Sequence, residues 1–277
     1  MYLPTEDLPV IPEEPWRGDY LLETRWQLEL ARLLADPVWR GRGVPRGDGR
    51  PVILLPGFGA GDQTLLILAA WLRRIGYSPH VCGFVTNTGC SDRAVDRVER
   101  RLEALYERHG RRAAVIGHSR GGHYARAIGE RRPDLVSHAI SAGAGLRRML
   151  ATSSAIHGAV GAARWVTVRT GRARSPRCLT EICDCAFARN FAGPFPEDRV
   201  RLTSIYSKGD GVVRWQSALV PYADCVEVSG SHVGLIFNRK TYRAIAHALA
   251  EPELQNDSKS TAAPDGGALG DPDADRP

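Results

Sequence analysis

The architecture can be read outward from one stretch, Ala113-Ala-Val-Ile-Gly-His-Ser-Arg-Gly-Gly122. Residues 113–116 form an apolar run of buried-strand length, and residues 121–132 are helical in pattern up to Pro133, where a helix is expected to stop. Between them stands Gly117-His118-Ser119-Arg120-Gly121, a G-x-S-x-G turn with a strand before it and a helix after it. In that setting a serine is pushed out at a sharp strand-to-helix turn, poised as a nucleophile. The turn needs small flanking residues, which Gly117 and Gly121 supply, and Gly122 lets the following helix pack closely. Ser119 is therefore expected at the C-terminal edge of a sheet and at a helix N-terminus, where developing negative charge is favoured.

Outward from this turn the pattern alternates. Strands are expected at residues 51–55, 78–84, 113–116, 136–141, 200–206 and 225–228. Helices are expected at 62–75, 92–109, 121–132 and 238–250, with one more at 20–35 that ends before Asp36-Pro37. Continuously apolar strands separated by helices imply an α/β fold with a mostly parallel central sheet and helices on both faces. The alternation stops between residues 146 and 198, too long a stretch for a plain connection, so an inserted cap is expected there. The domain plan is thus an N-terminal extension with one helix (1–50), a catalytic domain (51–250) and a disordered acidic tail (251–277) that is rich in Pro, Gly, Asp and Ser.

A serine nucleophile needs a base, and the base needs an acid to orient it. Asp210, in Ser207-Lys-Gly-Asp-Gly-Val-Val213, follows one expected strand. His232, in Val228-Ser-Gly-Ser-His-Val-Gly234, follows the next. Both loops leave the sheet at the edge that carries Ser119, where open α/β sheets bind ligands. Asp224 is the reserve acid. His118 and His123 lie too near Ser119 in the chain to serve as a base oriented by a remote acid, and the other histidines read as surface or packing residues. The oxyanion formed in acyl transfer needs two amides. One is expected from Arg120, next after the nucleophile, and the other from Phe58 in Leu55-Pro-Gly-Phe-Gly-Ala-Gly61.

These pieces together resemble the α/β-hydrolase superfamily, in particular its small bacterial esterase/lipase branch. The resemblance rests on P-V-I-L-L-P-G-F-G-A at 51–60, G-H-S-R-G-G at 117–122, I-Y-S-K-G-D-G-V-V at 205–213 and G-S-H-V-G-L at 230–235, in the family's order. It implies a serine hydrolase of carboxylic, lipid-like acyl esters with Ser119, Asp210 and His232 as triad and Phe58 and Arg120 as oxyanion donors. It does not separate hydrolysis from acyl transfer, thioester cleavage or ligand binding without catalysis on the same scaffold. Pro56 stands where many members carry His, and Arg120 replaces a more usual small or apolar residue, which puts a cation near the site.

The 277 residues carry 37 basic and 31 acidic side chains, a net charge of +6. The tail from 251 onward holds seven of the acids against Lys259 and Arg276, leaving the rest of the chain strongly basic. Between 146 and 177 lie Arg147, Arg148, Arg164, Arg169, Arg172, Arg174 and Arg177 with no acid and interspersed apolar residues. Such a cap is compatible with peripheral contact with an anionic membrane, although a solvated arginine-rich cap is the favoured reading. A nucleic-acid partner is not expected, because no aromatic platform is interleaved with the basic residues. The N-terminus has no basic segment followed by an apolar one, so a cytoplasmic protein is expected. Its thiols should then be mostly reduced, with a bridge from Cys178 to Cys183 or Cys185 the one pairing considered. The Cys178, Cys183 and Cys185 spacing is not that of a zinc site, and neither a metal nor an organic cofactor is expected.

Overall fold

The computed structural model of the protein describes residues 8–14 and 16–255. Its centre is a six-stranded, all-parallel sheet of β1 (Pro51–Leu55), β2 (Ser78–Val81), β3 (Ala113–His118), β4 (Val136–Ala142), β5 (Arg201–Tyr206) and β6 (Asp224–Glu227). The spatial order is β2-β1-β3-β4-β5-β6. The chain steps outward from β1 to β2 and then crosses back to β3. Strand order therefore reverses between β1 and β3, and a crevice opens there at the C-terminal ends of the strands.

Eight α-helices accompany the sheet among the described residues. They are α1 (Tyr20–Glu23), α2 (Trp26–Ala35), α3 (Leu66–Arg74), α4 (Ser91–His109), α5 (Arg120–Arg131), α6 (Ser154–Arg169), α7 (Ala186–Ala192) and α8 (Arg239–Ala250). Side chains alternate across the sheet, and two cores follow. Ile53, Leu55 and Val115 pack with Val95, Val98 and Leu102 of α4, Tyr124 and Ile128 of α5, and Phe187 and Phe191 of α7. Val52, Leu54, Ala114 and Ile116 pack on the other face with Trp71 and Leu72 of α3 and Tyr242, Ile245 and Leu249 of α8. Burial on both faces is why these strands read as unbroken apolar runs.

Some boundaries differ from those expected. The strand at 78–84 stops at Val81, because the Asp62 carboxylate accepts the Gly83 and Phe84 N–H groups at 2.7 and 3.0 Å and draws them into a loop. The helix expected at 62–75 begins as a tighter 3-10 turn over Asp62–Leu65. The helix expected at 20–35 is broken between α1 and α2, where the Thr24 and Arg25 N–H groups bond carbonyls three residues back at Leu21 and Leu22. Within the stretch read as a cap, α6 is largely exposed whereas α7 packs on α5 and belongs to the main core. Residues 251–255 fold back onto the sheet's N-terminal end: Glu253 pairs with Arg50 at 3.5 Å and with Arg112 at 3.2 Å. The remainder of the expected acidic tail, 256–277, lies outside the described residues.

Candidate active site

Ser119 sits between β3 and α5 with φ at +51° and ψ at −122°, outside the conformations a serine ordinarily adopts. Such strain persists only where its surroundings hold it. Here the Ser119 N–H bonds the Ala142 carbonyl at 2.8 Å, and the Ser119 carbonyl accepts the Gly122 N–H at 2.8 Å. A Cβ on Gly117 would strike the Gly121 backbone, and one on Gly121 would strike the Leu55 carbonyl. The small residues of the turn are therefore required by the close approach of three chain segments. The hydroxyl makes no hydrogen bond among the described residues and faces the cavity described below.

Asp210 and His232 meet each other in the loops after β5 and β6. The His232 Nδ1–H donates to Asp210 Oδ2 at 2.7 Å, with both side chains nearly inaccessible to solvent. The other carboxylate oxygen, Oδ1, accepts the Val212 and Val213 N–H groups at 2.8 and 2.7 Å, which fixes the carboxylate's plane. A carboxylate can only accept, so the proton lies on Nδ1 and Nε2 keeps its lone pair. Burial opposes protonation of His232, but the charge and hydrogen bond of Asp210, with a smaller contribution from Glu23, outweigh it and hold its pKa above the ordinary imidazole value. The peptide at Ala142 and Gly143 links this pair to the serine. Ser119 bonds Ala142, while a Cβ on Gly143 would lie 3.3 Å from His232 Nδ1 and 3.4 Å from Asp210 Oδ2. The reserve acid, Asp224, opens β6 and thus stands at the opposite end of that strand from the His232 loop.

His118 takes a part that the spacing argument did not assign. Its ring packs 4.9 Å from that of His232, and its Nε2–H donates to the His232 carbonyl at 2.9 Å. Burial, and then the neighbouring His232, push its pKa down to about 3, so it stays neutral beside His232. Glu23 and Glu29 also reach the His232 loop, and no sequence signal points to them. Nothing local marks them, because both act on residues some two hundred positions away.

Phe58 follows β1 and Arg120 opens α5, so both flank the switch point of the sheet. Neither backbone N–H is spent on another backbone carbonyl among the described residues. The Arg120 side chain turns aside and donates to the carbonyls of Asn87 and Gly89 at 2.8 and 2.6 Å and to Ser91 Oγ at 2.9 Å. Its guanidinium lies 5.7 Å over the Phe58 ring. The cation near the site thus braces the loops that follow β1 and β2, on one side of the serine.

In front of Ser119 lies a cavity of about 110 Å³ whose walls are mainly apolar, including Phe58, Met149, Leu150, Ile156, Phe187 and Val213. His123 also lines it, with its Nε2 unpartnered among the described residues and its pKa pushed down to about 3 by burial and the nearby Arg120. The roof is latched to the core through Asp92 on α4, which accepts the Phe187 N–H and an Arg174 N–H at 2.8 and 2.9 Å. Other cap arginines are occupied too: Arg148 pairs with Glu181 at 3.0 Å, and Arg147 and Arg164 donate to the carbonyls of Gln216 and Pro176. All six cysteines are free thiols, so neither pairing of Cys178 is made. The Cys178 thiol lies instead against that of Cys90, and Cys183 Sγ is 3.2 Å from Cys185 Sγ. Among the described residues no group of three or more His, Cys, Asp or Glu side chains could hold a metal ion, and no helix is long and apolar enough to cross a membrane.

No protein-family profile and no curated protein matches the chain. Solved structures do. The mature lipase of Bacillus licheniformis superposes with a TM-score of 0.54 at 14% identity, covering 75% of this chain and 94% of that one. A monoacylglycerol lipase of Paleococcus ferrophilus gives 0.50 at 15% identity, covering 74% and 96%. A structure reported with carboxylesterases of Nitrososphaera gargenis gives 0.50 at 15% identity, covering 74% and 92%. At such identities the likeness establishes architecture, and the chain has the fold of the α/β-hydrolase superfamily.

Proposed function

We propose that the protein is a serine hydrolase that cleaves carboxylic esters with apolar acyl groups through an acyl-enzyme on Ser119. The observation that carries this reading is the buried His232–Asp210 pair, packed against Gly143 next to the Ala142 carbonyl that the Ser119 N–H bonds, with the serine held at positive φ. His232 Nε2 takes the Ser119 proton as Oγ attacks the ester carbonyl. Asp210 keeps the imidazole in the tautomer this requires and stabilises the imidazolium. The N–H groups of Phe58 and Arg120 receive the oxyanion, and the first turn of α5 adds its positive end. His232 then gives its proton to the departing alkoxide. Water, deprotonated by the same nitrogen, attacks the acyl-enzyme, and collapse of the second tetrahedral intermediate releases the acid as the imidazolium returns its proton to Ser119 Oγ. The apolar cavity favours an acyl chain over a charged group.

The test is the reaction of the protein with a fluorophosphonate probe together with p-nitrophenyl ester turnover. Labelling at Ser119, and loss of both labelling and turnover in Ser119→Ala, are expected. Turnover that survives the substitution unchanged overturns the assignment. Product analysis with competing alcohols distinguishes hydrolysis from acyl transfer to another acceptor.

A further inference from the structure

The two loops that carry the acid and the base converge on one side chain that neither the fold nor the motifs require. Glu23 Oε1 accepts the Gly211 N–H at 3.0 Å and the His232 N–H at 2.9 Å, and Oε2 accepts the Val233 N–H at 2.8 Å. These amides belong to the residue after Asp210, to His232 itself and to the residue after His232. Glu29 extends the contact, accepting the Ser231 N–H at 2.9 Å and its hydroxyl at 3.2 Å.

The local geometry is built for this. Six positions apart on one straight helix, Glu23 and Glu29 would point about 120° away from each other. The break between α1 and α2 brings both carboxylates to the same loops. The loops approach closely enough that a Cβ on Gly211 would strike the Asp19 carbonyl and one on Gly234 would strike the Glu29 carboxylate. Earlier in the same segment the Asp19 N–H donates to the Gly211 carbonyl at 3.1 Å, so both polar groups of the Gly211 backbone are held by this segment.

We infer that Glu23 is a positioning residue for hydrolysis: its carboxylate sets the spacing of the Asp210 and His232 loops and places a second negative charge behind the imidazolium. This rests on the triad reading above. The groups facing His232 are Asp210 from the loop after β5, His118 from the end of β3, Glu23 from α1 and, through Ser231, Glu29 from α2. Of these, Asp210 and Glu23 raise its pKa, so removal of the Glu23 charge must lower it.

Glu23→Gln retains one oxygen for the Gly211 and His232 amides and loses the charge. Its kcat should fall about tenfold with KM nearly unchanged, and the acid limb of the kcat/KM profile should move to lower pH. Glu23→Asp keeps the charge but is too short to span both loops. Its kcat should fall similarly while the acid limb stays closer to wild type. Both are measured on the full chain, with thermal unfolding to show that each is folded and Glu14→Gln as an exposed control from the same segment. Folded Glu23→Gln and Glu23→Asp proteins whose kcat lies within about twofold of wild type and whose acid limbs are unmoved overturn the inference. So do losses confined to thermal stability. If the wild-type protein is not labelled by fluorophosphonate at Ser119, the hydrolase reading has failed, and the positioning role falls with it.

Discussion

Replacing Asp210 by Asn tests the buried pair most directly, because the change is nearly isosteric and the structure states what it removes. The amide oxygen can take over the acceptor role of Oδ1 toward the Val212 and Val213 N–H groups. The NH2 group must then face His232 Nδ1. An NH2 group donates, so Nδ1 becomes the acceptor and the proton moves to Nε2, the nitrogen that accepts the serine proton in the proposed mechanism. The wrong tautomer is one loss. The other is the carboxylate that lies 2.7 Å from Nδ1 when the imidazolium forms. Charges about 4 Å apart interact by about 4 kcal/mol at an effective dielectric constant of about 20, or roughly three decades in rate. With the tautomer penalty, kcat for p-nitrophenyl butyrate should fall by about 10³–10⁴, with little change in KM. The loop anchors survive, so thermal unfolding should shift only slightly. A folded Asp210→Asn protein that retains more than about a tenth of wild-type kcat refutes the reasoning and leaves His232 without its orienting acid.

Three further predictions concern the cavity, the elbow and the buried imidazoles. If the apolar cavity takes the acyl chain, going from p-nitrophenyl acetate to butyrate buries two more methylenes, worth about 0.8 kcal/mol each, and kcat/KM should rise about fifteenfold; a flat series removes the acyl-binding role of the cavity. Gly121→Ala forces a Cβ against the Leu55 carbonyl and should cost about 3 kcal/mol or more in denaturant unfolding, whereas Gly158→Ala, where a Cβ would meet nothing within 4 Å, should be neutral or stabilising. His118, His123 and His138 are each held neutral with pKa near 3, below their unfolded value of about 6.5, so the unfolded chain binds more protons than the folded one between those limits. The stability they confer is complete above pH about 6.5 and is lost as pH falls, by up to about 4 kcal/mol per pH unit for the three together; an unfolding free energy that stays flat from pH about 6.5 to 4.5 contradicts it.

Much of the architecture was legible because its signals are local. β1 and β3 are buried on both faces, so their apolar runs follow directly from position, and the G-x-S-x-G turn is forced by contacts within a few residues of the serine. Asp210 and His232 could be singled out by their place after successive strands, since a parallel sheet presents the ends of its strands at one rim. The boundaries that slipped were set by distant partners. Val81 ends β2 because a carboxylate from the loop after β1 captures the amides beyond it, and the stretch read as one cap is divided because Phe187 and Phe191 find Tyr124 and His123 on α5.

The chain's own order of residues thus carried the sheet, the elbow and the candidates for acid and base, because periodicity and tight turns are properties of neighbouring residues. Tertiary packing alone set the Asp210 carboxylate on His232 Nδ1, placed His118 against His232, turned the Arg120 cation away to brace a neighbouring loop, and brought Glu23 onto three amides from two loops. Those choices depend on distances between segments far apart in the chain. Hydrogen bonds and charges act over a few ångströms of space, and no spacing along the sequence encodes them.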